Sequence, residues 1–214
     1  MHEGRPPIEN RLELIQRLER ITIEALGNAY QRYQELGDSG LEMVKKNQFD
    51  DMALRADIEC EEAVLDIYKE QGVPITVYSE EHGKVACGSE QKYLGVLDGI
   101  DGTSVYKKDR EHGRCGTLTG IFEGTDPAYN DYLVSGYMEH ATGRMYIATK
   151  GGGAYMIEHG VKTPIHASQK REMEGKVQIY IDEWFDINKQ TFTEKLGAFA
   201  PEDRPFCTNA SCVY

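Results

Sequence analysis

The sequence predicts an α+β fold, because two helical patterns come first and a series of closely spaced strand patterns follows. From residue 8 to residue 33, apolar residues recur in steps of three and four, which is typical of a long amphipathic helix. A second apolar stripe runs through Cys60, Val64 and Ile67. After Pro74 the pattern changes to that of β-strands, which turn-forming residues separate from one another.

The two predicted helices have recognisable ends. Gly37 and Gly40 end or bend the first helix, and the polar residues 45–51 predict a turn or a short hairpin. Asp57 is a candidate N-cap of the second helix, which ends near Gly72.

The rest of the chain is predicted to be mainly β-sheet. Strands are predicted at residues 75–78, 93–97, 115–122, 131–139, 143–149, 153–158, 161–166 and 177–181. Tight turns favour an antiparallel meander, with residues 141–143 as a hairpin loop, and residues 187–199 predict a further helix. The polar segment 168–176 marks a boundary. We therefore predict an N-terminal α+β domain at residues 1–170 and the start of a second α/β domain at residues 171–214.

The composition is that of a soluble globular protein and disfavours several classes of partner. Of the 214 residues, 40% are hydrophobic and 28% are charged, and the formal net charge is -12. Such an acidic chain is poorly suited to nucleic acid or anionic lipid, although a bound cation reverses the local charge for a small phosphorylated substrate. The chain has no signal-peptide pattern and no apolar run near the ~20 residues of a membrane span. Five scattered cysteines favour a reducing cytoplasm over a disulfide framework.

The most informative stretch follows the apolar residues 93–97, which predict a buried strand. Asp98 and Asp101 come at the end of that strand, and a Gly-Thr-Ser turn follows at residues 102–104. Paired carboxylates bind hard cations, and the backbone amides of a small-residue turn bind phosphate oxygens. The local pattern alone is equally compatible with a turn that carries two solvated aspartates, whereas the ligand spacing of an EF-hand is absent.

Two further acidic positions are candidates to complete such a site. Glu80 and Glu81 follow the strand predicted at residues 75–78. If that strand lies beside the strand at residues 93–97 and parallel to it, or if the two share one sheet edge, their acidic ends converge; otherwise the glutamates form a solvated surface. Asp57 is either only a helix cap or also a carboxylate that orients a hydroxyl or a water.

Other motifs give weaker indications. Residues 150–153 (KGGG) lack the Walker spacing and link two predicted strands, so they predict a turn and not a phosphate-binding loop. The six histidines show no zinc-ligand spacing. A Ser-His-Asp triad stays open, although no G-x-S-x-G elbow marks a nucleophile.

Four elements, in the same order, make the chain resemble the inositol monophosphatase family of magnesium-dependent, lithium-sensitive phosphatases, which includes fructose-1,6-bisphosphatases and nucleotide bisphosphate phosphatases. The family motif D-P-I-D-G-T is similar to D-G-I-D-G-T at residues 98–103, and G-E-E is similar to S-E-E at residues 79–81. The element K…D-x-V-T-x-x-D resembles residues 46–57, and the run G-x-V-Y…G-x-x-Y-x-A-x-x-G-x-G-A resembles residues 136–154. The resemblance implies the family's layered α-β-α-β-α fold.

The resemblance also implies a metal site, position by position. Glu80 and Asp98, with the backbone carbonyl of Ile100, would ligate one Mg2+, and Asp98 and Asp101 would ligate a second. A shell made only of carboxylate and carbonyl oxygens suits a hard cation. Magnesium in such a site polarises phosphoryl oxygens and lowers the pKa of its water.

The same resemblance assigns the water and the phosphate. Asp57 and Thr103 would orient the attacking water on the metal that Glu80 helps to hold, so these three residues are the candidate catalytic residues. The residues that would hold the substrate phosphate are Asp101, Gly102, Thr103 and Ser104.

Three departures from the family pattern change what we expect. Gly99 replaces the motif proline and is expected to loosen the turn, and Leu54 stands where the family has threonine. The family places a further metal-binding aspartate in a W-D motif beyond a G-S-A-A-like segment. Residues 209–212 resemble that segment, but Trp184 and Asp186 precede it. We therefore expect a C-terminally truncated member that lacks this aspartate and the substrate-contacting part.

The resemblance implies a magnesium-dependent phosphomonoester hydrolase in which a metal-activated water attacks inositol phosphate or a related sugar phosphate. Two alternatives stay open: a fructose-1,6-bisphosphate or nucleotide bisphosphate phosphatase, and a metal-binding domain without turnover. The expected partners are Mg2+ and a small phosphorylated substrate, not nucleic acid or membrane. A homodimer and a cytoplasmic location complete the prediction.

Overall fold

The computed structural model describes residues 8–47, 52–169, 180–181 and 206–207. The chain divides into two compact units, Met1–His166 and Ala167–Tyr214. All of the candidate site residues lie in the first unit.

The first unit begins with the two predicted helices, and both are confirmed. Helix α1 (Ile8–Leu36) has 29 residues and leads into a 3-10 helix (Gly37–Leu41), whereas helix α2 (Arg55–Glu70) has 16 residues. Between the helices, strands β1 (Met43–Lys46) and β2 (Met52–Leu54) pair in antiparallel fashion, as the predicted short hairpin requires.

The apolar stripes of the two helices pack against each other. Ala25 and Ala29 of α1 are fully buried, and so are Val64 and Tyr68 of α2. Small alanine side chains let the helix backbones approach closely, which buries the apolar stripe of α2 against α1.

Eight strands form the large sheet of the first unit. They are β3 (Ile75–Ser79), β4 (Gly83–Ala86), β5 (Tyr93–Asp101), β6 (Gly116–Glu123), β7 (Tyr132–Glu139), β8 (Arg144–Thr149), β9 (Gly153–Glu158) and β10 (Val161–Ile165). Their order across the sheet is β10-β9-β8-β7-β6-β5-β3-β4. Strands β5 to β10 are antiparallel neighbours in chain order, which confirms the predicted meander.

The exception to the antiparallel pattern is the pair of β3 and β5, which are parallel neighbours. Their register ends with Ser79 opposite Leu97, so Glu80 follows β3 beside the point where β5 reaches Asp98. The two acidic segments therefore converge through the parallel arrangement, the first of the two that the sequence left open.

One face of the sheet packs on the helices. Along β8, Met145, Ile147 and Thr149 are buried, whereas the residues between them are half-buried, which is the alternation of a strand with one face in the core. Helix α1 contacts β6, β7 and β8, and α2 contacts β5. The start of α2 thus lies near the acidic end of β5. In the described part of the chain, no helix combines the length and the apolar character that a membrane span needs.

Three local predictions are wrong in detail. Strand β5 continues through Asp101, so both aspartates belong to the strand and do not follow it. The predicted turn at residues 102–104 is the beginning of a short helix, α3 (Thr103–Lys108). The loop between β7 and β8 spans residues 140–143, one residue more than predicted, and ends on Gly143 with a positive φ of 69°.

The second unit is described at two short strands, β11 (Tyr180–Ile181) and β12 (Phe206–Cys207), which pair in parallel. The helix predicted at residues 187–199 lies outside the described residues, and so does most of the strand predicted at residues 177–181. The domain boundary near residue 170 stays a prediction.

Candidate active site

Asp57 lies in the first turn of α2 and is almost fully buried, with 4% of its surface exposed. The prediction that Asp57 is the N-cap is wrong, because α2 begins two residues earlier, at Arg55. Asp57 Oδ2 instead accepts a hydrogen bond of 2.8 Å from the amide of Leu54, the residue that precedes the helix. The carboxylate therefore satisfies an amide that the helix leaves without an acceptor. Its second oxygen is turned to a different partner.

That partner is Thr103, at the beginning of α3. Its Oγ1 lies 3.2 Å from Asp57 Oδ1 and 3.0 Å from the carbonyl oxygen of Ile100. Gly102, which precedes α3, has a φ of 91°, a conformation that glycine adopts without strain. One hydroxyl thus joins the start of α2, the end of β5 and the start of α3, and the first amides of α3 have no acceptors within the helix.

A β-bulge determines how Asp98 and Asp101 are presented. Asp98 pairs with Leu118 and Asp101 pairs with Gly116, so three steps on β5 correspond to two on β6. In a regular strand, residues three apart point to opposite faces of the sheet. The extra residue brings the two aspartates back to the same side, which is a known use of bulges near functional sites. We call this bulged end of β5, residues 98–101, the Asp98 loop.

The electrostatics of Asp98 show that acidic groups converge here. Its pKa is raised to about 9, first by burial and then by the negative charges of Glu80, Asp101, Asp57 and Glu61. Carboxylates that crowd in this way are unfavourable as anions unless a cation or a proton joins them.

Asp57 is affected in the same direction. Burial, together with the charges of Glu81 and Glu80, raises its pKa to about 7, although the hydrogen bonds from Leu54 and Thr103 partly oppose the shift. A group with this pKa exchanges protons near neutral pH.

Glu80 and Glu81 follow β3, and we call residues 79–82 the Glu80 loop. The Glu80 amide donates to the carbonyl of Leu97 across 3.2 Å, which ties the loop to β5. Glu81 Oε1 accepts a hydrogen bond of 3.2 Å from Asn47, whereas its Oε2 is buried and lacks a hydrogen-bond partner among the described residues. Burial raises the pKa of Glu81. A buried carboxylate oxygen without a donor is a group that a cation, or a water bound to it, would satisfy.

The donor chemistry of the site fits a hard cation, although the cage is not closed. Within the described part of the chain, no group of three or more Asp, Glu, His or Cys side chains is arranged so that it could hold a metal ion. Two features nevertheless suit a divalent cation: the pKa of Asp98 is raised, and Glu81 Oε2 lacks a hydrogen-bond partner among the described residues. A bound cation would stabilise both carboxylates as anions.

Sequence reasoning missed Glu61, which lies one turn after Asp57 on the same face of α2. It is fully buried, and it accepts hydrogen bonds from the Glu80 loop. The sequence signal was a glutamate inside an apolar stripe, next to Cys60 and before Val64. A charged residue in such a position needs a partner in the core.

The expectation that Gly99 loosens the turn is wrong. A Cβ at Gly99 would lie 2.1 Å from the backbone oxygen of Asp57 and 3.0 Å from Cγ of Glu61. In this structure α2 approaches the Asp98 loop so closely that a Cβ at residue 99 would force one of the two to shift. The loop is packed tightly rather than loosened.

The structure brings most of the predicted residues together. Asp57, Asp98, Asp101 and Thr103 surround the starts of α2 and α3, with Glu80 on the neighbouring loop. Ser104 is exposed in α3. Residues 150–152 form a turn between β8 and β9, as predicted. Several positions used in the sequence comparison lie outside the described residues: Asp51 of the 46–57 element, Trp184, Asp186 and residues 209–212.

Comparison with known proteins identifies the family. Residues 9–210 match the sequence model of the inositol monophosphatase family. A curated relative, the fructose-1,6-bisphosphatase/inositol-1-monophosphatase of Methanothermobacter thermautotrophicus, is 29% identical over 126 residues, which cover 56% of this chain and 44% of that protein. The chain thus matches less than half of the length of that relative.

Solved structures share the fold. The extragenic suppressor protein suhB from Bartonella henselae superposes with a TM-score of 0.65 at 15% identity, covering 88% of this chain and 68% of that one. Inositol monophosphatase II from Staphylococcus aureus MSSA476 gives a TM-score of 0.63 at 19% identity, covering 88% and 65%. These likenesses confirm the predicted α+β fold. Since the family match extends over nearly the whole chain, this protein belongs to the inositol monophosphatase family.

Proposed function

We propose that the protein is a magnesium-dependent phosphomonoester hydrolase that acts on inositol phosphate or a related sugar phosphate. The observation that carries the proposal is the convergence of Asp98, Glu80, Asp101 and Asp57. Burial, and then the repulsion from the other carboxylates, raises the pKa of Asp98 to about 9. A divalent cation would turn that repulsion into attraction and would attract a phosphate dianion to an otherwise acidic chain.

The residues that would hold the metal are those expected from the family pattern. Glu80, Asp98 and the carbonyl of Ile100 would hold one Mg2+, and Asp98 and Asp101 a second. The Ile100 oxygen lies 3.0 Å from the Thr103 hydroxyl and has a second lone pair for a metal. When bound, the metal supplies charge neutralisation at the phosphoryl oxygens and a more acidic water.

The chain's own groups would orient the water and hold the phosphate. The hydrogen of the Thr103 hydroxyl is directed to Asp57 Oδ1 or to the Ile100 carbonyl, so the lone pairs of Oγ1 are free to accept a water O–H. Asp57 Oδ1 would receive the Thr103 hydroxyl proton as Thr103 takes up a proton from the water. The amides of Gly102, Thr103 and Ser104, at the start of α3, would donate to the phosphate oxygens.

The substrate remains a choice among related phosphomonoesters. The curated relative carries both inositol-1-monophosphatase and fructose-1,6-bisphosphatase in its name, so fructose-1,6-bisphosphate stands beside inositol-1-phosphate as a candidate. A nucleotide bisphosphate is the third. The predicted homodimer and cytoplasmic location stay predictions.

A metal-binding domain without turnover is the second candidate, because the match covers 44% of the curated relative. Both candidates predict magnesium binding, but only the first predicts release of phosphate. The test is therefore an assay of phosphate release from inositol-1-phosphate, fructose-1,6-bisphosphate and a nucleotide bisphosphate over a magnesium titration, with calorimetry of magnesium binding in parallel.

We expect Asp98→Asn to reduce phosphate release by roughly 1000-fold, because it removes a ligand shared by both proposed metals. The matched control is Asp126→Asn, which removes the same charge from an exposed loop and should leave activity unchanged. Turnover without a divalent ion, or turnover that survives Asp98→Asn, would contradict the mechanism. Magnesium binding without phosphate release from any of the three esters would favour the second candidate.

A further inference from the structure

Glu61 is a fully buried carboxylate, and within the described residues its hydrogen-bond donors all come from the Glu80 loop. Its Oε1 accepts from the amides of Glu80, at 3.0 Å, and Glu81, at 3.2 Å. Its Oε2 accepts from the Ser79 hydroxyl, from the Glu81 amide at 3.1 Å and from His82 Nδ1 at 2.7 Å. The loop is therefore wrapped around one anion.

A buried charge of this kind is tolerated only when it is well hydrogen-bonded, because its transfer from water costs several kcal/mol. Here two successive backbone amides, a hydroxyl and an imidazole meet that need. The Ser79 hydroxyl also accepts the His82 amide at 3.1 Å, which closes the loop on itself. The hydrogen bond to Glu61 raises the pKa of His82, so the imidazole carries positive charge more readily beside the carboxylate.

These hydrogen bonds fix the backbone from which the Glu80 side chain extends. The Glu80 amide lies between two acceptors, Glu61 Oε1 and the Leu97 carbonyl at the end of β5. Helix α2 carries Glu61 one turn after Asp57, so one rigid element sets the distance between Asp57 and the Glu80 loop. The other carboxylate of the site, Asp98, continues from Leu97.

We propose that Glu61 is a positioning residue that holds the Glu80 loop in the geometry a divalent cation needs, without itself contacting the cation. The role rests on the proposed function of Glu80 as a metal ligand. Both Glu61 oxygens are already directed to N–H and O–H donors, so it acts through the backbone of Glu80 and Glu81. Groups that orient metal ligands in this way contribute to metal affinity.

The test is Glu61→Gln in the full chain, because glutamine has the same shape but replaces one acceptor oxygen with a donor. That donor would face the donors of the Glu80 loop. We expect the magnesium concentration for half-maximal activity, and the magnesium Kd from calorimetry, to rise by about 10- to 100-fold. At saturating magnesium kcat should approach the wild-type value, since the cation itself then draws Glu80 into place.

Two further variants make the test selective. Glu62→Gln removes the same charge from the next residue. The Glu62 side chain is exposed and its carboxylate lies 3.4 Å from His82 Nε2, so we expect the magnesium midpoint to stay unchanged. Ser79→Ala removes one donor but keeps the Glu61 carboxylate, and should raise the midpoint less than Glu61→Gln does. It also carries the test if circular dichroism shows that Glu61→Gln does not fold.

The outcomes separate this proposal from the proposed function. Wild-type magnesium activation with an unchanged midpoint in Glu61→Gln would overturn the positioning role and leave the proposed function intact. A loss of kcat that saturating magnesium does not restore would also overturn it, because it would place Glu61 in the chemical step or in folding. Absence of magnesium-dependent turnover and binding in the wild-type protein would overturn the proposed function itself.

Discussion

The Glu80 loop and the Asp98 loop present carboxylates to the same site but are held in different ways. The Glu80 loop surrounds a buried anion, Glu61. Two backbone amides and an imidazole of the loop donate hydrogen bonds to that carboxylate. The Asp98 loop is held by contact: Gly99 packs against the backbone of α2 so closely that a Cβ would lie 2.1 Å from the Asp57 oxygen.

Hydrogen bonds from neutral groups also support the Asp98 loop. Thr117 Oγ1 donates to the Gly99 carbonyl at 2.8 Å and lies 3.1 Å from Nε2 of the buried His140. Since the threonine hydrogen is directed to Gly99, the His140 Nε2 carries a hydrogen and donates to the threonine. The comparison teaches that one loop depends on electrostatic attraction, which a bound cation is able to reinforce, whereas the other depends on steric fit, which a cation cannot restore.

The largest effect should come from Gly99→Ala, which disrupts the close packing of residue 99 against α2. The new methyl group meets backbone of α2, which is unable to move aside without displacing Asp57, so we expect a loss of about 3 kcal/mol in the free energy of unfolding. Activity should be lost and should not return at high magnesium, unlike that of Glu61→Gln. Urea unfolding and a magnesium titration of phosphate release measure the two effects.

Gly27→Ala is the matched control for that substitution. Gly27 lies within α1, and a Cβ there would have open space around it. Alanine should stabilise the helix by about 0.5–1 kcal/mol and leave the magnesium midpoint unchanged. Equal stability of Gly99→Ala and the wild-type protein would mean that α2 does not press on the Asp98 loop.

This difference between the loops also explains how much of the molecule could be predicted from the sequence. The periodicity of α1, α2 and the meander is a local property, and it was sufficient for the α+β fold. The convergence of Glu80 with Asp98 could be stated only as a condition, because whether two strands are parallel neighbours depends on the whole sheet.

What could not be predicted depends on close approach in three dimensions. The short helix α3 has too few residues to show a helical period, so its Gly-Thr-Ser start resembled a turn. The bulge that aligns Asp98 with Asp101 depends on the register with β6. Glu61 looks like one more glutamate of α2 until the Glu80 loop folds over it, and the tight fit at Gly99 depends on the distance between α2 and β5.

The next effect in size concerns pH and tests the neutral support through His140. This side chain is buried beside the Tyr33 ring, and burial lowers its pKa to about 3. In the unfolded chain His140 binds a proton below its ordinary pKa of about 6.5, whereas in the folded chain it binds one only when the pH approaches 3. The contribution of His140 to the free energy of unfolding is therefore complete above pH 6.5 and is lost as the pH falls toward 3.

We expect the stability advantage of the wild-type protein over His140→Gln to shrink by about 2 kcal/mol between pH 7 and pH 5. Urea unfolding of both proteins at the two pH values, without metal, measures it, and the titration of all other groups largely cancels in the difference. An advantage that stays constant, or grows toward pH 5, would mean that His140 is protonated in the folded protein.

The smallest effect comes from Thr117→Val, and here strand β6 offers a neighbour that separates the site from the fold. Valine leaves the Gly99 carbonyl and the His140 N–H without their partner, at a cost of about 1.5 kcal/mol. Thr119, two residues along the same strand and equally buried, makes comparable hydrogen bonds to the Val96 carbonyl, at 3.1 Å, and to Tyr68, at 3.0 Å. Thr119→Val should therefore lose similar stability in urea unfolding. Only Thr117→Val should weaken magnesium binding, because only Thr117 bonds to the Asp98 loop itself; equal magnesium affinities in the two variants would show that the loop keeps its geometry without the hydroxyl.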